Sequence, residues 1–457
     1  PDPPTEPHIQ QFPAAILFLD ISGFTSLNER LAQLGAAGPE LVSKHINSYF
    51  ASLIKAVSEH GGDVLKFAGD ALICMWAGET PGSSMDNLTS LTLRAIQCGF
   101  DIQTRLDKYD SNEGFSLTLH IGVGSGELLS LWAGSKGSWE YLVSGEPLAQ
   151  LRTAVDNSKT GEVVISTESW HLVQEYCKGE PRGNDIYVSE IISPIPISRT
   201  KTIKGWPRGD AEAALRCFIP VAVQVSVDSQ QLEGWGNELR TATVLFVKLN
   251  TDIPNDNKEI YLSTINTVLC CMQQAIFKYE GMVRQFLADD KGTVLIAAFG
   301  LPPFCHMEDP LRGVKAAMEI HQGLKMHNMD CSIGVTTGQV YCGSVGCPVR
   351  QEYAMVGDVV NLSARLMVAA FKQIANILCD QPTYGASSSS VSFAILDPIM
   401  VKGKKNAIAI YQPLTKDKKR KSRYSIHRGV IVGRREEKKT IRDLVNKVPN
   451  TCVKEKG

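Results

Sequence analysis

Two stretches of the chain repeat the same order of hydrophobic and polar positions. One opens with the apolar run 14–19 and the other with the apolar run 242–247, and both continue into apolar residues spaced as on one face of a helix. A Gly-punctuated pair of short apolar runs, a second helical pattern and a further apolar run follow in each stretch. The chain therefore carries an internal duplication, so each motif in one repeat can be compared with the equivalent positions of the other.

The order of elements in each repeat predicts the fold. Strand, helix, strand, strand, helix, strand is the order of a ferredoxin-like α+β unit. Each repeat then reaches a Tyr-x-x-x-Gly segment, Tyr141 to Gly145 and Tyr353 to Gly357, that leads into a helix. We expect an α+β protein in which two such domains pair as a pseudo-symmetric dimer within one chain. The predicted division is 10–205 for the first domain, 206–235 for a linker, 236–415 for the second domain, and 416–457 for a linker with the start of a further module.

The amino-acid composition argues against some classes of binding partner. The formal net charge is −1, so the charge balance does not favour general binding to nucleic acid or anionic lipid. The 12 cysteines form no CxxC framework, which is typical of reduced thiols. The start of the sequence lacks the order of a secretory signal, and we expect no apolar run long enough to cross a bilayer. These features predict a soluble, cytoplasmic monomer with an internal pseudo-dimer.

Two acidic residues in the first repeat are candidate metal ligands. Asp20 follows an apolar strand and precedes a small-residue turn into a helix, whose free N–H groups favour an anion. Asp70 lies in a hairpin turn, where Gly69 permits the tight backbone. Two carboxylates at neighbouring strand ends suit two magnesium or manganese ions that also bind a triphosphate, and calcium is compatible with the same oxygens. Taken singly, each aspartate is explained more simply as a helix cap or a turn residue, but their joint occurrence in this order of elements favours the metal site.

The second repeat offers different chemistry. Asn361 and Arg365 are four residues apart at the start of a predicted helix, so both side chains project from one face. Arginine supplies a permanent planar charge for an oxygen that becomes more negative in a transition state, and asparagine can orient a ribose. An exposed arginine beside a structural asparagine is an equally simple alternative for this pair alone.

The differences between the repeats make the two sets complementary. The counterparts of Asp20 and Asp70 in the second repeat are Lys248 and about Thr293, and those of Asn361 and Arg365 in the first are Ala149 and Thr153. One composite site can therefore be complete, with metals from the first domain and transition-state groups from the second. The symmetry-related pocket lacks both sets and is free to bind something else.

At this point the residues resemble the class III nucleotidyl cyclases, and among them the tandem catalytic domains of the bicarbonate-regulated soluble adenylyl cyclases. The resemblance spans about 14–412 and is most specific in 20–25, 65–72 and 360–365. It implies that Asp20, Asp70 and the Ile21 carbonyl hold the two metals, and that the turn of Ser22, Gly23, Phe24 and Thr25 cradles the triphosphate. Attack of the ribose 3′-hydroxyl on the α-phosphate would give cyclic AMP, with Asn361 and Arg365 stabilising the transition state.

Base choice departs partly from the family pattern. Lys291 matches the lysine that accepts adenine in the adenylyl enzymes, which favours ATP over GTP. Its usual Thr or Asp partner is Ala354 here, so the backbone of Met355 is the remaining candidate for contact with the base. The family's basic phosphate ligand is His120, and a free imidazole is mostly neutral at cytoplasmic pH. A guanylyl cyclase and a non-catalytic nucleotide or anion sensor remain alternatives, whereas the duplication opposes a polymerase palm.

The resemblance also assigns the degenerate pocket. Lys66 and Arg152 match the bicarbonate-binding cations of the family, with Val143 and Val294 as lining residues. Two cations without a metal make a small-anion site physically sensible. The alternative is that Lys66 is a relic of the duplicated base-binding lysine, paired with a carboxylate. After the repeats, 430–436 resembles the opening of a regulatory ATPase module, but no GxxxxGK sequence follows, so we expect a piece of a longer protein.

Overall fold

The computed structural model describes the two repeats and most of the segment between them. The described residues are 4–22, 38–68, 71–78, 85–106, 109–110, 116–135, 137–196, 209–228, 238–251, 253, 257–289, 292–347, 350–372, 375–401 and 406–414. The predicted linker and further module at 416–457 lie outside these residues.

Apart from the short strand β4 of the first half, the described helices and strands follow in the same order in the two halves. The first half contains β1 (His8–Ser22), α1 (Gly38–Glu59), β2 (Asp63–Ala68), β3 (Ala71–Ala77), α2 (Met85–Leu106), β4 (Tyr109–Asp110), β5 (Ser116–Ser135), β6 (Ser138–Gly145), α3 (Glu146–Asn157), β7 (Val163–Ile165), α4 (Thr167–Val173), β8 (Cys177–Arg182) and β9 (Asp185–Ile191). Two helices connect the halves, α5 (Gly209–Arg216) and α6 (Val221–Asp228). The second half contains β10 (Glu238–Leu249), α7 (Lys258–Lys278), β11 (Met282–Asp289), β12 (Gly292–Phe299), α8 (Asp309–Met326), β13 (Cys331–Cys347), β14 (Arg350–Val356), α9 (Asp358–Lys372), β15 (Ile377–Cys379), α10 (Gln381–Ser387), β16 (Ser392–Ile399) and β17 (Ile408–Leu414).

One sheet forms the centre of each half, and the two sheets have the same topology. The first runs β2-β3-β1-β5-β7-β9-β8, with β4 and β6 also paired to β5. The second runs β11-β12-β10-β13-β15-β17-β16, with β14 paired to β13. In both sheets the central pairs are antiparallel, and only the strand after the long one, β7 or β15, runs parallel to its neighbour. The predicted α+β fold with two copies of one unit is confirmed.

The register of the strands gives the correspondence between the halves. Asp20 pairs with Ala71 on one side and with His120 on the other. Lys248 pairs with Val294 and with Ser332 in the same way. Lys248 therefore stands where Asp20 stands in the first half, as the alignment of the repeats predicts.

Each half contributes residues to the hydrophobic core of the other. The second core contains buried residues from the long strand pair of the first half, namely Leu131, Ala133 and Leu142. Reciprocally, Val345 is buried in the first core, and Ala354 and Val356 pack against it. Burying one large aliphatic side chain is worth about 1.5–3 kcal/mol. Each half alone would therefore expose surface that the other half covers.

The helix α7 is a core helix although its composition would also suit a membrane. By length and hydropathy it is long and apolar enough to cross a bilayer, which the sequence expectation did not foresee. Its apolar face, including Ile265, Val268 and Leu269, is buried in the second core. The side chain of Asn266 on the same helix accepts a hydrogen bond from the backbone N–H of Gly134 in the first half, at 2.8 Å. The predicted linker 206–235 contains the helices α5 and α6.

Candidate active site

Asp20 lies two residues before the end of β1, which is the middle one of three neighbouring strands, β3, β1 and β5. Its side chain is partly buried, whereas the side chain of the next residue, Ile21, is 3% exposed and belongs to the core. The backbone of Ser22 completes the strand. Gly23, Phe24, Thr25 and Asp70 lie outside the described residues. Ala71, which follows Asp70 in the chain, pairs directly with Asp20.

His120 stands beside Asp20 on the paired strand β5. Its Nδ1 atom lies 3.0 Å from the carbonyl oxygen of Ser158. A carbonyl oxygen can only accept, so Nδ1 carries the hydrogen in this arrangement. The neutral ring then has only a lone pair on Nε2, and His120 can donate to a phosphate through Nε2 only when the ring is protonated.

The helix that carries Asn361 and Arg365 is fixed tightly to the second sheet. The hydroxyl of Ser363 donates to the carbonyl oxygens of Val244, at 3.1 Å, or Gly334, at 2.8 Å. A Cβ atom at Gly334 would lie 2.0 Å from the carbonyl oxygen of Ser363, so only glycine permits this close approach. Asn361 is exposed and Arg365 is partly buried, on the helix face away from Ser363.

Strand β14 of the second half runs alongside β2 of the first. The side chain of Arg350 donates to the carbonyl oxygen of Leu65 at 3.3 Å, and the N–H of Phe67 donates to the carboxylate of Glu352 at 3.3 Å. Because both partners advance by two residues, the strands run in the same direction. The helix α9 begins two residues after β14 ends, and the described part of β2 ends at Ala68. The start of α9 therefore lies towards the end of β2 at Ala68, from which the chain continues to Asp70.

The predicted base-binding residues are only partly described. Ala354 pairs with Gly343 and is partly buried against the first core, whereas Met355 pairs with Cys342 and packs in a smaller cluster of the second half. Lys291 lies outside the described residues.

The relatives of the chain identify its family. The family model of the adenylate and guanylate cyclase catalytic domain matches residues 8–189 and 293–413. The chain belongs to this family. Adenylate cyclase type 10 of Oryctolagus cuniculus is 27% identical over 444 residues, 90% of this chain and 27% of that protein. The human protein of the same name is 27% identical over 442 residues, with the same coverage. The chain thus spans about a quarter of the length of these relatives.

A solved structure resembles the chain across both halves. A crystal structure of a class III adenylyl cyclase-like ATP-binding protein from Pseudomonas aeruginosa aligns with a TM-score of 0.53 at 11% identity. The alignment covers 83% of this chain and 85% of that one. At this identity the likeness concerns the fold.

In this cyclase chain the predicted bicarbonate residues come from both halves. The ammonium of Lys66 donates to the carbonyl oxygen of Phe286 in the second half, at 3.0 Å. The next residue, Leu287, pairs with Val294, which in turn pairs with Lys248. Leu287, Val294 and Lys248 thus lie side by side on neighbouring strands. Lys66 contacts the residue next to Leu287, at one end of this row. In the first half, Val143 is partly buried on β6 and Arg152 is exposed on α3.

The register gives the counterpart of Lys66 in the second hairpin, which bears on the alternative that Lys66 is a duplicated base-binding lysine. Lys66 pairs with Ile73, and the residue in the same position of the second hairpin is Gln285, opposite Ile296. The side chain of Gln285 donates to the carbonyl oxygen of Phe67 at 2.7 Å, just as Lys66 donates to that of Phe286. The counterpart of Lys66 is thus a glutamine.

Sequence reasoning missed a group of charges between the halves. Arg284, whose side chain is 6% exposed, lies 3.9 Å from the carboxylate of Glu352. The strand register gives Glu140 the place in the first half that Glu352 has in the second. Glu140 keeps some accessible surface, but the burial of its carboxyl group raises its pKa to about 7, against the lowering effect of Lys66 and Arg284. The matching Glu-Tyr pairs at 140–141 and 352–353 were the available sequence signal.

The donor atoms near Asp20 fit a hard divalent cation. The Asp20 carboxylate and a backbone carbonyl at a strand end are oxygen ligands of the kind that magnesium prefers. Within the described residues, no three His, Cys, Asp or Glu side chains form a metal cluster. A site of two carboxylates and one carbonyl does not require such a cluster, and Asp70 lies outside the described residues.

Proposed function

We propose that the chain is an adenylyl cyclase, which converts ATP into 3′,5′-cyclic AMP and pyrophosphate at one composite site. The main observation in support is that β14 runs alongside β2, held by Arg350 and Glu352. This alignment directs the start of α9 towards the hairpin that follows Lys66. This arrangement supports a cleft that the metal ligands of the first half and the transition-state groups of the second half share.

Asp20, Asp70 and the carbonyl of Ile21 would hold two magnesium or manganese ions. When bound, these ions lower the pKa of the ribose 3′-hydroxyl and neutralise charge on the triphosphate. The backbone N–H groups of 22–25 would orient the phosphates. His120, next to Asp20 in the sheet, would donate to a phosphate oxygen when its ring is protonated.

Arg365 and Asn361 would act on the reacting centre from the second half. The guanidinium would stabilise the charge that grows on the phosphoryl oxygens, and the amide would hold the ribose for in-line attack. The hydrogen bonds of Ser363 and the close packing at Gly334 support this role, because they fix the helix that carries both groups. Lys291 would accept adenine, with the backbone of Met355 beside it.

The degenerate pocket, related to the composite site by the pseudo-symmetry, is proposed as a bicarbonate site that activates the enzyme. Lys66 and Arg152 would bind the anion, and Val143 and Val294 would line it. Lys248 supports an anion there, since it puts an ammonium where the catalytic half has the metal-binding Asp20. A pocket with a fixed cation in that position needs no metal to attract a negative ligand.

The function is tested by incubating the purified chain with ATP or GTP, with magnesium or manganese, and with or without bicarbonate, and identifying the product by mass. We expect cyclic AMP. Arg365→Ala should lower kcat by roughly 100-fold to 1,000-fold, as the loss of one transition-state donor does. Thr153→Ala, which changes the counterpart of Arg365 in the first half, is the matched control and should retain activity. Asp20→Asn should abolish turnover.

Other results would favour the remaining candidates. Cyclic GMP as the main product would make the chain a guanylyl cyclase. Absence of any cyclic nucleotide under every condition would favour a non-catalytic sensor, for which Ala354 and His120 are the motivating departures. Cyclic AMP formation without a bicarbonate response, or a response that persists in Lys66→Ala, would refute the activator site alone.

A further inference from the structure

Lys66 and Glu140 occupy the places that Gln285 and Glu352 occupy on the other side of the pseudo-symmetry. The register of the two hairpins equates Lys66 with Gln285. The register of the long strands and their partners equates Glu140 with Glu352. The amide of Gln285 donates to the carboxylate of Glu352 at 3.0 Å. An ammonium and a carboxylate therefore stand where the other side has a hydrogen bond from a neutral amide.

Charges from three other strands act on Glu140. Burial of its carboxyl group has the largest effect and raises the pKa to about 7, while Lys66 of β2 and Arg284 of β11 lower it. Glu352 of β14 raises it further. The residue paired with Glu140 on β5 is Ala133, which carries no charge. Lys66 and Arg284 are thus the cations that stabilise the ionised form.

Glu140 also lies in the wall of a cavity of about 330 Å³ beside the connecting helices. Two other titratable residues line this cavity among the described residues, and both have partners of their own. Glu280 is ion-paired with Arg312 and with His306. The thiol of Cys217 donates to a backbone carbonyl oxygen of α5 at 3.5 Å. Neither residue therefore replaces Glu140 as the counter-charge of the lysine.

The charge balance across the interface determines what Lys66 can bind. The carboxylate of Glu352 already accepts two hydrogen bonds and lies 3.9 Å from Arg284. Because Arg284 matches the charge of Glu352, Glu140 is the carboxylate that balances Lys66. An anion that approaches Lys66 must compete with the ionised form of Glu140. Protonation of Glu140 removes this competition.

We infer that Glu140 is an internal competitor of the activating anion, which binds Lys66 in the degenerate pocket only when Glu140 has lost its negative charge. The inference rests on the proposed bicarbonate site and adds the group that regulates its occupancy. As the anion binds, the carboxylate takes up one proton from solvent, so the total charge of the pocket stays the same. The proton returns to solvent when the anion leaves. Activation would therefore depend on pH and on bicarbonate together.

The test measures binding without turnover. The purified full chain is mixed with ¹³C-labelled bicarbonate and no nucleotide, and binding is followed by broadening of the bicarbonate NMR line. The bicarbonate concentrations are matched at pH 6.5 and pH 8. Because the pKa of Glu140 is about 7, the dissociation constant should rise roughly tenfold between these pH values. Glu140→Gln should bind roughly tenfold more tightly than the original protein at pH 8, and equally well at both pH values.

Two further variants make the comparison specific. Glu175→Gln is the matched control, because it makes the same change of charge at an exposed position of the same half. It should retain the pH dependence of the original protein. Lys66→Ala should abolish binding at both pH values, with either glutamate or glutamine at position 140. Circular dichroism confirms that each variant is folded.

The outcomes separate this inference from the proposed function. Equal affinity of the original protein and Glu140→Gln at pH 8 would overturn the competitor and leave the anion site in place. The same pH dependence in both proteins would have the same meaning. Absence of line broadening with Glu140→Gln at both pH values would overturn the competitor and the bicarbonate site together. Formation of cyclic AMP is judged by its own assay and is independent of all three results.

Discussion

Asn47 of the first half and Asn266 of the second make the same hydrogen bond in opposite directions across the interface. The Oδ1 atom of Asn47 accepts from the backbone N–H of Gly346 at 3.0 Å, and that of Asn266 accepts from the N–H of Gly134 at 2.8 Å. Both glycines have positive φ angles, 128° and 147°, in the region that favours glycine. The two asparagines thus hold a special backbone conformation at equivalent positions of the two long strands.

Replacing either asparagine should weaken the whole protein. Asn47→Ala and Asn266→Ala each leave a partly buried N–H without its acceptor, so we expect the free energy of unfolding to fall by about 1–2 kcal/mol. Asn47→Ala should be the more costly, since its amide also donates to the carbonyl oxygen of Ser344 at 3.3 Å. Urea denaturation measures both values. Ser48→Ala, at an exposed position beside Asn47, should change stability by less than about 0.5 kcal/mol. Equal effects of all three changes would contradict the assignment.

The carboxyl of Glu140 should make stability depend on pH. Burial raises its folded-state pKa to about 7, above the value of 4.5 for the unfolded chain. The protonated form therefore favours folding, and this contribution is complete below about pH 4.5 and is lost as the pH rises through 7. Glu140→Gln stays neutral, so it should gain stability relative to the original protein between pH 5 and 8, by on the order of 2 kcal/mol. Parallel stability curves for the two proteins would show that Glu140 does not titrate in this range.

Selectivity for the base should respond to residue 354. If the side chain of Ala354 faces the base edge, Ala354→Thr restores a hydrogen-bonding group and should raise the ratio of kcat/KM for ATP over GTP by about tenfold. Ala354→Val has nearly the same shape without the hydroxyl, and it should leave the ratio unchanged. Steady-state kinetics with both nucleotides measure the effect. A similar gain from valine would assign the change to packing against the first core.

His120→Lys should improve the binding of ATP. The lysine supplies a permanent cation, whereas the histidine ring held by the carbonyl of Ser158 can donate through Nε2 only when protonated. We expect KM for ATP to fall by roughly threefold to tenfold. His120→Gln is the neutral control and should not lower KM. An unchanged KM in the lysine variant would remove His120 from the phosphate site.

The sequence alone was sufficient to predict the features of the fold that depend on local pattern. The duplication, the strand order and the correspondence of Asp20 with Lys248 follow from apolar periodicity and from alignment of the repeats. The contacts of Lys66 with Phe286 and of Glu352 with Phe67 were not predictable in this way, because they join strands more than 200 residues apart whose relative register no local pattern specifies. The helices α5 and α6 were missed because their short apolar runs lie in a segment with weak periodicity.

The exchange of side chains between the two cores limits how the chain can evolve. Leu142 fills the second core from the first half, and Val345 fills the first core from the second. A repeat whose site residues change must still be retained, because its partner needs its apolar side chains in order to fold. Under the proposed function, the pocket without the metal ligands is therefore preserved as a by-product of folding, and mutations there can be selected for new ligands without loss of the scaffold.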